Sequence, residues 1–216
     1  MNPGDDLGRL LADAVERAGG LADGDILVVA QKVVSKAEGR VEQASNHVEV
    51  ILREARAIRR RRDDLVIAET AHGFVCASAG VDRSNAPGEG WITLLPVDPD
   101  ASARGIRAAL AERFGVAPAV IVSDSFGRAW RQGTTDVAIG VAGLRPLLDL
   151  RGTKDARGYE LSSTVIAVAD ELAGAAELVM GKARGIPAAL VRGYAVPDGD
   201  GSARELVMPP ERDLFP

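Results

Sequence analysis

The chain has 216 residues, of which 46% are hydrophobic and 26% charged, and its formal net charge is −5. This composition suits a globular protein with a sizeable core, and it gives no domain-wide basic field of the kind that favours nucleic acid as a partner. The single cysteine, Cys76, excludes a disulfide framework and a cysteine metal cluster. No run approaches about 20 apolar residues and no signal peptide precedes Gly4, so we expect a cytoplasmic protein that does not span a membrane.

Apolar spacing in the first half of the chain predicts two helices and four strands. The helices are expected at 5–18 and 48–62, and the run of four arginines at 59–62 then falls at the solvated end of the second helix. The strands are expected at 26–30, 65–70, 73–81 and 91–97, with a turn at Gly39 and no helix directly after the first strand.

The second half alternates helices and strands less regularly. We expect helices at 98–114 and 171–183, strands at 119–124, 163–170 and 188–196, a further apolar segment at 137–144 and a polar hairpin at 145–160. Because no strict βαβ rhythm emerges, the pattern favours an α+β fold with mixed sheets and packed helices over a doubly wound sheet. No repeat or linker divides the chain, so we treat residues 1–216 as a single domain.

The segment 121–136, IVSDSFGRAWRQGTTD, is the most informative part of the sequence. An apolar strand that ends in Ser123–Ser125 would bring a carboxylate and two hydroxyls to its tip, where oxygen atoms can hold a hard cation. Gly127 would then turn the chain toward Arg128 and Arg131, which could bind phosphate or carboxylate through bidentate hydrogen bonds. The alternative is a capped turn with solvated arginines.

Two other polar segments could join this one. Residues 31–40 follow a buried strand with three cations and a glycine turn, which suits polyphosphate, although the spacing of a P-loop is absent. Asp82 and Asn85 lie three residues apart in a Gly- and Pro-rich loop and both offer side-chain oxygens, although both residues also favour turns. Solvated lysines and a plain loop are the alternatives. Taken together, the segments resemble a divalent metal site that faces a nucleotide polyphosphate.

At this point the sequence resembles the coenzyme F420-0:γ-glutamyl ligase family. The resemblance rests on five segments in the family's order, which extend from about residue 4 to 195: GDILVVAQKVVSKAEGRV, LVIAETAHGFVCASAGVDRSN, LLPVDPDASA, IVSDSFGRAWRQGTTDVAIGVAG and VADELAGAAELVMGK. It implies an α+β protein of two intimately joined parts that forms a homodimer. It also implies an enzyme that uses GTP to add L-glutamate to coenzyme F420-0 through an acyl phosphate.

The resemblance implies roles for individual residues. Asp82, Asp124 and Ser125 resemble ligands of Mg²⁺ or Mn²⁺, and Gln31, Lys36 and Asn85 resemble nucleotide contacts. We therefore expect Asp124 and Lys36 to be catalytic as well as binding residues. From its charge alone, we also expect Arg128 to act on the substrate phosphate or carboxylate.

Two departures from the family pattern stand out, and two rival functions remain. Relatives usually begin with an extra strand before the segment that matches Gly4–Leu7, and some have a C-terminal reductase-like domain that we expect this chain to lack.

The rival functions are a related acyl-phosphate ligase with another carboxylate acceptor and a non-catalytic nucleotide-binding module. The second rival is disfavoured because the chain retains Asp82, Asp124, Ser125 and Lys36.

Overall fold

The computed structural model describes residues 1–214. Its helices are α1 (Leu7–Arg17), α2 (Gln31–Ala37), α3 (His47–Glu54), α4 (Pro99–Phe114) and α5 (Val168–Met180). Its strands are β1 (Ile26–Ala30), β2 (Val41–Gln43), β3 (Ala55–Arg62), β4 (Leu65–Thr70), β5 (Val75–Ala77), β6 (Trp91–Thr93), β7 (Ala119–Arg128), β8 (Arg131–Ala142), β9 (Leu148–Asp149), β10 (Val165–Ile166) and β11 (Ala188–Val191). Mixed sheets with packed helices confirm the predicted α+β class. Among the described residues, no helix is long and apolar enough to cross a bilayer.

A four-stranded sheet in the order β11-β1-β7-β8 forms the centre, and only its β1–β7 pair is parallel. Successive residues of a strand point to opposite faces of a sheet. In β1, Leu27 and Val29 therefore pack on the face covered by α1 and α4, whereas Ile26 and Val28 pack on the face covered by α5. Burial on both faces explains why β1 and the first half of β7 are continuous apolar runs.

Three smaller antiparallel sheets surround this centre: β3-β4-β5, β2-β6 and β9-β10. Helix α3 buries Ile51 against Val66 and Ala68 of the first of them. The loop that contains Asp82 is held on β6, because the backbone of Asp82 exchanges hydrogen bonds of 2.9 and 2.8 Å with that of Thr93. The smaller sheets therefore place Asp82 beside the central sheet.

Helix α4 lies unusually close to β8. It begins at the side-chain cap of Asp98, whose Oδ1 accepts from the Ala101 amide at 2.9 Å. A Cβ atom on Gly140 would collide with the carbonyl oxygen of Pro99 in the first turn of this helix, so only glycine fits there. The β7–β8 register shifts at this level, between Val122 and Ser123. Such a bulge redirects the side chains that follow it.

The predicted helix at 48–62 is wrong in its second half. Helix α3 ends at Glu54, and residues 55–62 form β3, so the arginine run lies on a strand and not at a helix end. Pairing with β4 overrides the helical spacing, and Arg56 and Arg59 bridge to Glu69 across the strands at 3.3 and 2.7 Å.

Two further expectations are corrected at strand ends. Helix α2 begins at Gln31 directly after β1, where no helix was expected, and it buries Val34 and Ser35. The strand expected at 163–170 is limited to β10, because α5 already begins at Val168. The buried residues of α5 recur at helical spacing, which outweighs the β-branched start of the segment.

Candidate functional site

The middle of β7 forms the centre of the candidate site. Ser123–Ser125 were expected at a strand tip, but β7 continues to Arg128 and pairs with β8 throughout, so they lie within a hairpin. Pairing with β8 extends the strand past Gly127, which the sequence pattern had suggested as a turn. The redirected side chains of these residues therefore emerge from the middle of the hairpin.

Asp136 of β8 holds the two serine hydroxyls. It is only 4% exposed, and its Oδ2 and Oδ1 accept from Ser123 Oγ at 2.9 Å and Ser125 Oγ at 2.6 Å. Since the Ser125 proton points to Asp136, the lone pairs of the Ser125 oxygen remain available for a cation or a donor. No role had been assigned to Asp136 from the sequence, although it lies directly opposite Ser125 in the β7–β8 register.

Asp124 and Asp82 have opposite electrostatic environments. Burial raises the pKa of Asp124 to about 7, and the negative charges of Asp82 and Asp136 add to the effect. Burial also acts to raise the pKa of Asp82, but hydrogen bonds from Lys32 and the Ser84 amide outweigh it and the net pKa is lowered. Lys32 Nζ lies 2.6 Å from Asp82 Oδ2. The Ser125 amide and the charge of Lys32 offset the burial of Asp124 only in part, and a bound cation would offset the rest.

One side of Asp124 opens into a recess of about 170 Å³, which we call the strand groove. Its wall includes a turn at Ser78–Gly80, in which three successive residues have left-handed backbone with φ of 57°, 51° and 72°. Backbone strain of this kind in non-glycine residues concentrates at functional sites. The groove is lined by Cys76, Ala77, Ser78, Gly80, Val81, Asp82, Asp124, Ser125, Phe126 and Gly127.

Asp124 also lines a larger recess of about 280 Å³, which we call the lysine cleft. Gln31 is only 1% exposed; its Oε1 accepts from Ser35 Oγ at 2.8 Å, while its buried Nε2 has no hydrogen-bond acceptor. A ligand oxygen would satisfy that donor. The polar side chains that line the cleft are those of Gln31, Lys32, Lys36, Asn85, Ser123, Asp124, Ser125, Asp136, Glu177 and Lys182.

The lysine cleft combines crowded positive charge with one acidic group on α5. Burial lowers the pKa of Lys36, and the charge of Lys32 lowers it further. Burial raises the pKa of Glu177, with a contribution from Asp136. Asn85 Nδ2 donates to the Lys182 carbonyl at 3.3 Å, which joins the Asp82 loop to the end of α5. An anionic ligand in this cleft would relieve the repulsion between the lysines.

The residues around Asp124 fit a hard divalent cation. The donors that face the strand groove are carboxylate and hydroxyl oxygens, which Mg²⁺ and Mn²⁺ prefer. Within residues 1–214, no group of three or more His, Cys, Asp or Glu side chains is arranged to hold a metal. A cation here would therefore rely on two carboxylates, a hydroxyl and substrate oxygens, which is the usual manner of Mg²⁺ at phosphate sites.

The structure brings six of the seven predicted site residues together. Asp82, Asp124 and Ser125 line the strand groove, and Gln31, Lys36 and Asn85 line the lysine cleft. Arg128 lies at the hairpin tip with Arg131 and lines neither recess, so its catalytic role stays a prediction.

Three residues of the site had received no role from the sequence: Asp136, Glu177 and Lys182. Lys32, one of the three cations of residues 31–40 expected to suit polyphosphate, lines the lysine cleft. Only the strand register could have indicated Asp136. No local pattern distinguishes Glu177 or Lys182 from the ordinary charges of a helix.

The chain is similar to a known protein family and to named proteins over most of its length. The sequence model of the family described as F420-0:gamma-glutamyl ligase matches residues 1–193. A coenzyme F420:L-glutamate ligase of Methanothermobacter thermautotrophicus is 45% identical over 240 aligned residues, which cover 100% of this chain and 94% of that protein. Proteins of the same name from Methanopyrus kandleri and Methanocaldococcus jannaschii are 44% and 43% identical, over 100% and 90% of this chain and 93% and 86% of their own lengths.

Proposed function

This chain belongs to the F420-0:gamma-glutamyl ligase family, a family of amide-forming ligases, and we propose that it uses GTP to add L-glutamate to coenzyme F420-0. The terminal carboxylate of coenzyme F420-0 would first become an acyl phosphate. The glutamate amine would then replace the phosphate, and further additions would form a γ-linked tail.

The junction of the two recesses at Asp124 and Ser125 is the observation that supports this proposal most strongly. Both residues line the strand groove and the lysine cleft. A ligase of this kind must hold a nucleotide and a carboxylate acceptor so that one acceptor oxygen can reach the γ-phosphorus. Two recesses that meet at one carboxylate supply that geometry, and positioning of two reactants is a large part of the catalytic advantage.

The lysine cleft suits the nucleotide. Lys36 and Lys182 would pair with phosphate oxygens, and Gln31 would donate its unused Nε2 hydrogen to one of them. Charge develops on the phosphate oxygens as the γ-phosphoryl group is transferred, and fixed cations stabilise it. The strand groove then receives the acceptor carboxylate.

The proposed reaction conserves its atoms in two steps. A carboxylate oxygen of the acceptor attacks the γ-phosphorus, the bond from that phosphorus to the β–γ bridging oxygen breaks, and GDP leaves. The deprotonated glutamate amine attacks the acyl carbon, the carbon–oxygen bond breaks to release phosphate, and the phosphate takes up the proton that the nitrogen loses. Asp82, Asp124 and Ser125 would hold Mg²⁺ or Mn²⁺, which would screen phosphate charge. Asp136 keeps the Ser125 hydroxyl turned so that its lone pairs face outward.

Mass spectrometry of coenzyme F420-0 after incubation with GTP, Mn²⁺ and L-glutamate tests the proposal. We expect a product heavier by one glutamyl residue, and its formation should require both GTP and glutamate. Product formation with a different carboxylate acceptor only would favour a related ligase. GTP binding with no product from any acceptor would favour a nucleotide-binding module.

The homodimer implied by the family resemblance is part of the same proposal. Light scattering at micromolar protein should report twice the mass of one chain. A monomer under those conditions would remove the dimer from the account without affecting the ligase assignment.

A further inference from the structure

The tip of the β7–β8 hairpin extends the strand groove outward. Phe126 and Gly127 line the groove, and Arg128, Trp130 and Arg131 follow at the tip. All three of these side chains are exposed, and Trp130 is 82% exposed. A large aromatic surface beside two guanidinium groups is the composition that binding surfaces favour.

The backbone at Trp130 indicates that the turn itself does not require tryptophan. Arg128 pairs with Arg131, so Ala129 and Trp130 form a two-residue turn, and Trp130 has a φ of 55°. A bulky residue is strained in this left-handed region, whereas glycine adopts it freely. The left-handed conformation thus gives the turn no preference for tryptophan, and strained residues of this kind concentrate at functional sites.

The distance along the strand limits what could contact both ends. Four residues separate Asp124 from Arg128, which corresponds to about 13 Å in a strand. A small acceptor such as a free amino acid cannot span this distance, but an elongated molecule with a carboxylate at one end can. Arg128 Nη2 donates to the Gln132 carbonyl at 3.2 Å, which holds the guanidinium along the hairpin with further donors available for an anion.

We propose that this tip binds the far end of the acceptor, with the flat deazaflavin ring stacked on Trp130 and anionic oxygens paired with Arg128 and Arg131. The acceptor would then lie along β7, with its reacting carboxylate in the strand groove beside Asp124. This assignment rests on the proposed function and makes the hairpin tip the element that selects the acceptor. The positive tip complements the negative charge of such a molecule.

Replacement Trp130→Gly gives the sharpest test, because it removes the ring and relieves the strained backbone together. Calorimetry with coenzyme F420-0 should show binding weakened roughly tenfold or more, as expected for loss of one aromatic stacking partner. The KM for coenzyme F420-0 should rise with kcat and the KM for GTP nearly unchanged. Melting temperature should stay the same or rise. Trp130→Phe should retain most of the affinity.

Matched controls separate the tip from the rest of the surface. Tyr159→Ala removes another exposed aromatic ring and should leave the affinity for coenzyme F420-0 unchanged. Arg131→Ala should weaken binding severalfold at low salt and less at high salt, whereas Arg60→Ala on β3 should have no effect.

Three outcomes would overturn the assignment. The first is a folded Trp130→Gly variant with wild-type affinity for coenzyme F420-0. The second is an equal loss in the Tyr159→Ala control. The third is a change in the mass of the variant by light scattering without loss of affinity, which would assign Trp130 to a contact between copies. If wild-type protein binds coenzyme F420-0 without forming product, the proposed function fails while the binding comparison still decides the role of the tip.

Discussion

The lysine cleft and the strand groove share Asp124 and Ser125 but differ in the rest of their linings. Lysines from α2 and from the segment after α5 line the cleft, and a buried glutamine there has an unused donor. The described lining of the groove contains no lysine; its wall includes a left-handed turn, and it ends at Phe126 and Gly127, next to the exposed hairpin tip. The difference is the basis of the proposed division of labour, in which the cleft would bind the nucleotide, the groove would bind the acceptor, and Asp124 would serve both.

Asp124 should matter to both recesses, and its loss should have the largest effect. Asp124→Asn keeps the shape of the side chain but removes its charge, so we expect ligation to fall by about a hundredfold or more, the scale seen when transition-state charge loses a stabilising partner. Product formation by mass spectrometry measures the loss, and circular dichroism checks the fold. The exposed Asp64→Asn is the control. Full activity in a folded Asp124→Asn protein would mean that the two recesses do not share a reaction centre at Asp124.

Gly140 lines neither recess but lies opposite Val122 in the β7–β8 register, so its replacement should affect stability before chemistry. Gly140→Ala places a methyl group against the Pro99 backbone, so we expect the free energy of unfolding to fall by about 1–3 kcal/mol. Gly105→Ala is the matched control: a Cβ in α4 meets no atom there, and alanine should stabilise the helix by about 0.5–1 kcal/mol. Urea denaturation compares the two variants. Equal stabilities would mean that α4 tolerates a shift away from β8.

Lys36 should matter to the lysine cleft alone. Lys36→Ala removes a cation that would pair with a phosphate oxygen of GTP and that Lys32 repels in the free protein. We therefore expect GTP to bind roughly tenfold more weakly, about 1.4 kcal/mol. Affinity for coenzyme F420-0 should not change, and melting temperature should hardly move. Calorimetry with each ligand gives both values, and Lys154→Ala serves as an exposed control. A large loss of stability with unchanged GTP affinity would indicate a structural lysine.

Asp25 and Arg192 belong to neither recess and should affect stability only. Asp25 is 1% exposed, and Arg192 donates to its two oxygens at 2.7 Å each. These hydrogen bonds lower the pKa of Asp25 despite its burial. Its stabilising contribution is therefore complete above the pKa of the unfolded carboxyl, near 4, and is lost as pH falls through the lower folded value.

The stability gap between wild type and Arg192→Ala should accordingly be full at pH 7 and shrink below about pH 4. Thermal unfolding across that range measures the gap. Arg113→Ala, which breaks a surface pair with Glu16, should show little gap at any pH. A gap for Arg192→Ala that persists at pH 2 would mean that the arginine acts through packing and not through the carboxylate.

The sequence predicted those parts of the fold in which local pattern and tertiary environment agree. Strand β1 and the first half of β7 are buried on both faces and appear as continuous apolar runs. Both ends of helix α4 have a local sequence signal: Asp98 is its N-cap, and Gly115 adopts the left-handed conformation after its last turn. These features can be predicted from the local sequence without knowing which distant residues pack against it.

The errors arose where a distant partner decides the local structure. Residues 55–62 fit helical spacing, but pairing with β4 makes them a strand. Residues beyond Gly127 remain in β7 because β8 continues beside them. Asp136 could be assigned to the site only from that pairing. Glu177 and Lys182 could be assigned to it only from the fold, which brings the end of α5 to the cleft. The roles of the six residues that did gather were implied by the family resemblance, since Asp124 and Ser125 lie within β7 and not at its end.

The origin of the oxygen in the released phosphate tests the central claim most directly. Coenzyme F420-0 with ¹⁸O in its terminal carboxylate should be ligated to glutamate in the presence of GTP and Mn²⁺, and the phosphate analysed by mass spectrometry. An acyl phosphate formed between the two recesses predicts that each phosphate released from a fully labelled acceptor contains one ¹⁸O atom. Ligated product accompanied by phosphate without ¹⁸O would contradict the transfer of phosphate to the acceptor and, with it, the account of the site.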